Sequence, residues 1–215
     1  MGNEPEKNDP ITQDLLHLAA KGDQACLGEL LNRDRDRLRK MIILRLDPAL
    51  AGRVDPSDII QEAQLEATRR LPEYVNNPTM PFFLWLRLIT GQNILRMHRV
   101  HLIAQQRDAR MELSLYRNAI PEASSAALAA NLAGKITGPL EEVVRAEIKL
   151  MLTVAINSMD EIDREVLVLK HFEQLSTSEV ATELNISLDA AKKRHIRAIK
   201  RLKEILDSFP GGLEG

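Results

Sequence analysis

A chain of 215 residues with 29 Lys+Arg against 31 Asp+Glu has a formal net charge of -2, so no field over the whole molecule draws it to nucleic acid or to a membrane surface. The single cysteine, Cys26, excludes an internal disulfide and suits a reducing, cytoplasmic setting, where it reads as a small buried apolar residue. The start, MGNEPEKNDP, has no apolar core for a secretion signal and no Ser or Thr for a myristoylation motif, and no apolar run is long enough to span a membrane.

Helical periodicity dominates, and no segment reads as a strand. Residues 11–20 form a short predicted helix stopped near Gly22. Asp23 opens a longer one through Leu27, Leu30, Leu31, Leu38, Ile42 and Leu46, ended by Pro48. Asp55-Pro56-Ser57-Asp58 supplies a cap, a first-turn proline and acidic residues at the positive end of the helix dipole. Ile59, Ile60, Ala63, Ala67 and Leu71 carry that helix to Pro72, where a polar loop with Tyr74, Asn76 and Asn77 runs to Pro81. Phe82, Phe83, Trp85, Leu86, Ile89 and Ile94 begin a further helix that reaches about His101. Packing is the default for these rings; the alternative is an aromatic face for unstacked bases.

Residues 116–139 carry Pro121, Ser124-Ser125, an alanine cluster, Gly134, Gly138 and Pro139, which is a linker signature with room for a turn or two of helix at 126–132. A helix follows over 140–157, and Ser158 with Glu161 makes a capping box for the next, which bears Val166, Leu167 and Leu169. The expected fold is all-α. Two small helical domains, 11–110 and 139–208, are joined by a flexible linker over 111–138, and no internal repeat relates them.

The C-terminal domain reads as a helix-turn-helix. Ser176 caps its first helix with Glu179 closing the box, Val180, Ala181 and Leu184 give the apolar face, and Asn185-Ile186-Ser187 makes the turn. Ser187 caps a second helix in which Ala191, Ala198, Leu202 and Ile205 form an inward stripe. Lys192, Lys193, Arg194, Arg197, Lys200, Arg201 and Lys203 fall largely off that stripe. A cationic helix held by a small scaffold helix is what the major groove accepts; the plainer reading is a solvated basic face. Lys192, Lys193 and Arg194, in the first turns after the cap, are placed to reach base edges. Arg197, Lys200 and Arg201 are placed to meet phosphates.

Asp55, Asp58 and Glu62, with Gln61 beside them, put an acidic face on one N-terminal helix. His98 and His101 share a helical face, but no Glu-x-x-His pairing accompanies them, so neither a metal site nor a cofactor is expected. With no nucleophile–base–orienter set and no phosphate-binding glycine loop, the chain is not expected to be an enzyme.

Asp55-Pro56-Ser57-Asp58-Ile59-Ile60-Gln61-Glu62 resembles the D-x-x-D-[LI]-[VI]-Q-E motif in region 2 of bacterial sigma-70-type sigma factors. Phe82-Phe83-Leu84-Trp85-Leu86-Arg87-Leu88-Ile89 resembles the F-x-x-W-L-x-x-I segment that follows it, and Asp163-Arg164-Glu165-Val166-Leu167 resembles the start of region 4, which the helix-turn-helix completes. Nothing similar to regions 1.1 or 3 fits between them, which points to the two-domain extracytoplasmic-function (ECF) group. The resemblance implies a factor that binds core RNA polymerase, recognises the -10 and -35 promoter elements and helps open the duplex. Core polymerase and promoter DNA are the implied partners, and an anti-sigma protein is a further candidate. Carried over by position, Asp55, Asp58, Gln61 and Glu62 belong to the polymerase-binding face. Tyr74, Asn76 and Asn77 lie in the loop that captures a flipped -10 base, and Asn93, Arg96, His98 and Arg99 follow the DNA. Ser187, Lys192, Lys193, Arg194, Arg197, Lys200 and Arg201 serve the -35 element.

Three positions depart from the family pattern. Gln92 stands where Asn is common, with Asn93 one residue on. Ala190 and Ala191 replace Thr-Val at the start of the recognition helix, and His195 takes an apolar position, where it reads as a half-buried core histidine. The competing readings are a stand-alone helix-turn-helix regulator with an N-terminal interaction domain, and a protein-interaction module without a DNA role.

Overall fold

The computed structural model describes residues 8–100, 120–136 and 142–207. Among these residues every regular element is a helix, the only sheet-type pairing is an isolated bridge between Ala51 and Val54, and no helix is long and apolar enough to cross a membrane. Contacts divide the chain into two compact units, Met1–Pro121 with Thr182–Asn185 and Glu122–Ala181 with Ile186–Gly215.

The first unit is built on α1 (Pro10–Ala20), α2 (Gln24–Arg33), α3 (Arg35–Arg45), α4 (Pro56–Asn76) and α5 (Phe82–His98). α1 closes as a Schellman motif. Gly22 takes φ 96°, its N–H donates to the Ala19 carbonyl, and the Asp23 N–H donates to that of Leu18. Leu38, Ile42, Ile59, Ile60, Ala63 and Leu86 are wholly buried and make the floor on which α3, α4 and α5 meet.

The structure corrects two expected boundaries here. The single helix expected from Asp23 to Leu46 is two, broken at Asp34, because residues 32–37 are all polar and give no buried side chain to hold the helix straight. α4 passes through Pro72 to Asn76: buried Leu71 and Tyr74 anchor the last turns, and proline removes one backbone bond without ending the helix. The loop expected over 72–81 shrinks to 77–81.

Tyr74, Phe82 and Trp85 form one aromatic cluster, with Tyr74 and Trp85 stacked at 4.7 Å and Phe82 at 5.7 and 5.6 Å from them. Asn8 ties it down, donating to the Tyr74 hydroxyl at 3.2 Å and accepting from the Phe82 N–H at 2.5 Å. The Arg37 guanidinium sits 3.4 Å from the centroid of Phe83. Tyr74, Phe82 and Phe83 are buried, whereas Trp85 is half-buried.

The second unit comprises α6 (Ser125–Ile136), α7 (Glu142–Asn157) and α8 (Glu161–Leu167), which runs on into a π-helical turn at Val168–Phe172. α9 (Thr177–Glu183) and α10 (Leu188–Asp207) follow. α6 occupies part of the stretch that composition marks as linker; it packs on α7 and buries Leu128 and Ala129. The expected cap of α8 also moves. Asp160, not Ser158, accepts the Ile162 N–H at 3.0 Å, while the Ser158 hydroxyl donates back to the Ala155 carbonyl.

Candidate nucleic-acid interface

α9 and α10 owe their geometry to local chemistry. The Ser176 hydroxyl accepts from the Glu179 N–H at 3.0 Å, and the Glu179 carboxylate accepts from the Ser176 N–H at 2.7 Å, so both halves of the capping box form. The turn is a second Schellman motif. Asn185 holds φ 50°, its N–H donates to the Thr182 carbonyl at 3.2 Å, and the Ile186 N–H donates to that of Ala181 at 2.9 Å. Ser187 then caps α10 by accepting from the Ala190 N–H at 3.2 Å.

α10 is strictly two-faced. Ala191 and Ala198 are fully buried, and Leu202 and Ile205 pack against a cluster of Met159, Leu167 and Ala198. Lys192, Lys193, Ile196, Lys200 and Lys203 are exposed. Arg194 and His195 are half-buried flanks. The His195 ring lies 4.9 Å from that of His171, their Nε2 atoms 2.8 Å apart. Burial, then His171 and Lys170, hold the His195 pKa below its ordinary value. Arg197 is committed elsewhere: its Nε and terminal nitrogen donate to the two carboxylate oxygens of buried Asp163 at 3.0 and 2.6 Å. This pairing raises the Arg197 pKa and clamps α10 to α8. In the -35 set named from sequence, Ser187, Lys192, Lys193, Arg197, Lys200 and Arg201 are all exposed; Ser187 is also the cap, Arg197 also bonds Asp163, and Lys200 also lies 3.7 Å from Glu204.

In the first unit the acidic residues lie along the start of α4. Asp55 is its N-cap, accepting from the Ser57 N–H at 2.8 Å, and Asp58 and Gln61 are exposed. Glu62 pairs with Arg96 of α5. The -10 set is spread between core and surface. Asn76, Asn77, Arg96 and Arg99 are exposed, whereas Tyr74, Asn93 and His98 are buried. The Tyr74 hydroxyl donates to the Met80 carbonyl at 2.9 Å, and His98 Nε2 accepts from the Asp47 N–H at 3.0 Å. Burial lowers the His98 pKa, with Asp47 pulling the other way. Asn93 lines a cleft of about 310 Å³ with Arg70, Gln92, Arg96 and Arg99, and its Nδ2 has no hydrogen-bond partner among the described residues. Sequence reasoning missed Arg70, which joins the cleft only because α4 and α5 pack together. His101 lies outside the described residues. Among those described, no group of three His, Cys, Asp or Glu side chains is arranged to hold a metal.

Residues 149–202 match the family described as sigma-70, region 4. No curated protein matches the chain. Among solved structures, that of CnrH in complex with the cytosolic domain of CnrY is similar in fold, with a TM-score of 0.50 at 21% sequence identity, covering 93% of this chain and 99% of that one.

Proposed function

We propose that this chain, whose residues 149–202 match sigma-70 region 4, works as a sigma factor of the ECF group: it binds core RNA polymerase, directs it to promoters through their -10 and -35 elements, and promotes DNA opening. The carrying observation is the region 4 match on a helix-turn-helix whose caps, turn and exposed lysines are all in place. Major-groove reading needs a helix with one face packed and the other cationic, and α10 has both.

The polymerase-binding role falls to the acidic start of α4. Asp58 and Gln61 are exposed and available, Asp55 is there chiefly as the cap, and Glu62 is shared with Arg96. For the -10 element the exposed Asn76 and Asn77 and the cleft at Asn93, Arg96 and Arg99 are the surfaces offered to DNA. Tyr74 and His98 support them from the core. A protein of the kind that CnrH meets in the cytosolic domain of CnrY is the natural candidate for restraint.

The test is reconstituted transcription with core polymerase and genomic promoter fragments, with and without the chain. Specific initiation only when the chain is added is expected. Asp58→Ala and Gln61→Ala should weaken core binding about tenfold or more with helical circular dichroism unchanged. A tight, sequence-specific complex of the free chain with a duplex palindrome, and no effect on core, would instead establish a stand-alone regulator.

A further inference from the structure

The exposed face of α10 contains three large apolar side chains among its lysines, Leu188 at 40%, Ile199 at 44% and, most exposed of them, Ile196. Ile196 is 68% exposed, halfway along a helix whose other face packs so tightly that Ala191 and Ala198 retain 1% and 0%. At helical spacing, Lys192 and Lys193 lie one turn before Ile196 and Lys200 lies one turn after it, so all four share one strip. Asp189, two turns before, continues that strip and is also exposed. A β-branched hydrocarbon at the centre of a cationic strip gains nothing from packing in this unit, since the buried stripe runs along the opposite side. The surrounding lysines select a polyanion as the surface that covers it. The double helix offers one hydrocarbon group in the groove wide enough to take a helix, the C5 methyl of thymine.

We propose that Ile196 is a specificity-determining residue that recognises a thymine methyl in the -35 element, with Lys192, Lys193 and Lys200 holding the helix against the flanking phosphates and base edges. This rests on the sigma-factor reading and deepens it by naming a base. The contact is apolar and made by a branched side chain, so it discriminates thymine from uracil, which differs only by that methyl. It carries no charge, so it leaves the salt dependence of binding alone.

The experiment uses the full chain bound to core polymerase and the strongest promoter found in the reconstituted assay, with each -35 thymine on either strand replaced in turn by deoxyuridine. For the wild-type chain, one replacement should weaken binding about three- to fivefold, the loss expected when one methyl is no longer buried. For Ile196→Ala, thymine and uracil at that position should bind equally, both at the level of wild type on uracil. The Tm should be unchanged, because the side chain removed is solvent-exposed. Core-dependent promoter binding in which every thymine-to-uracil replacement affects wild type and Ile196→Ala alike overturns this role for Ile196 and leaves the sigma-factor reading standing. A wild-type chain that confers no promoter binding on core overturns both.

Discussion

Asp163 and Arg197 show how a residue that looks like a nucleic-acid ligand in sequence also takes a structural part. Asp163 is buried and accepts two hydrogen bonds from Arg197, so removing the arginine takes both bonds away from a buried carboxylate. Arg197→Ala should lower the midpoint of chemical denaturation of the unit while barely changing how DNA affinity depends on salt. Lys193→Ala should do the reverse, leaving stability intact and reducing the salt slope by ~1. Equal salt slopes for the two variants would count against this division. The histidines give a pH dependence of definite sign. His98 is buried as an acceptor from the Asp47 N–H, and burial holds its folded pKa below the ordinary 6.5, as it does for His195. Between the folded value and 6.5 the unfolded chain binds more protons than the folded one. Stability is therefore complete above about 6.5 and is lost as pH falls through that window. The urea midpoint should be lower near pH 5.5 than near pH 7.5, and replacing His98 with Asn should flatten that difference; midpoints equal at the two pH values would refute the assignment.

At the scale of the element, the helix-turn-helix is held by short-range bonds, and each has a modest, separable effect. Ser176→Ala removes the acceptor for the Glu179 N–H at the start of α9 and should cost about 1 kcal/mol. Ser176→Thr, which keeps the hydroxyl, should recover most of it, and a Thr variant as unstable as Ala would mean that the cap bond does not hold α9. This local character is why these features were legible in sequence: Ser176 with Glu179, Asn185 at the turn, Ser187 and the Ala191–Ala198 stripe all interact within a few residues of themselves. The features that escaped depend on partners distant in sequence. Pro72 stays inside α4 because Leu71 and Tyr74 are buried beside it. Asn93 and His98 are expected among the residues that follow the DNA, but the packing of α5 buries both. α6 lies in a segment whose Gly and Pro content suggests a linker, yet Leu128 and Ala129 find α7 to pack against. Arg197 was indistinguishable from its basic neighbours until α8 placed Asp163 opposite it.

Over the whole molecule, charge is divided, not dominant. α10 carries seven Lys and Arg against three Asp and Glu, in a chain whose net charge is -2. Its positive field is therefore local, and the long-range attraction that brings strongly basic proteins to DNA is missing. Of the seven, Arg194 is half-buried and Arg197, though exposed, is engaged with Asp163, so Lys192, Lys193, Lys200, Arg201 and Lys203 are the remaining exposed cations for phosphates. About four such contacts give a log–log salt slope near -4, so affinity should fall on the order of a hundredfold or more between about 50 and 200 mM salt. The free chain should accordingly retard promoter duplex in a mobility shift only at low salt and with little preference for sequence. With core polymerase present, the same DNA should be held at 200 mM salt and its -10 region should become reactive to permanganate, because polymerase contributes contacts and strand separation that a few lysines on one helix do not. A free chain that binds one duplex sequence tightly at 200 mM salt would show that α10 suffices by itself, and polymerase would then have no necessary place in recognition.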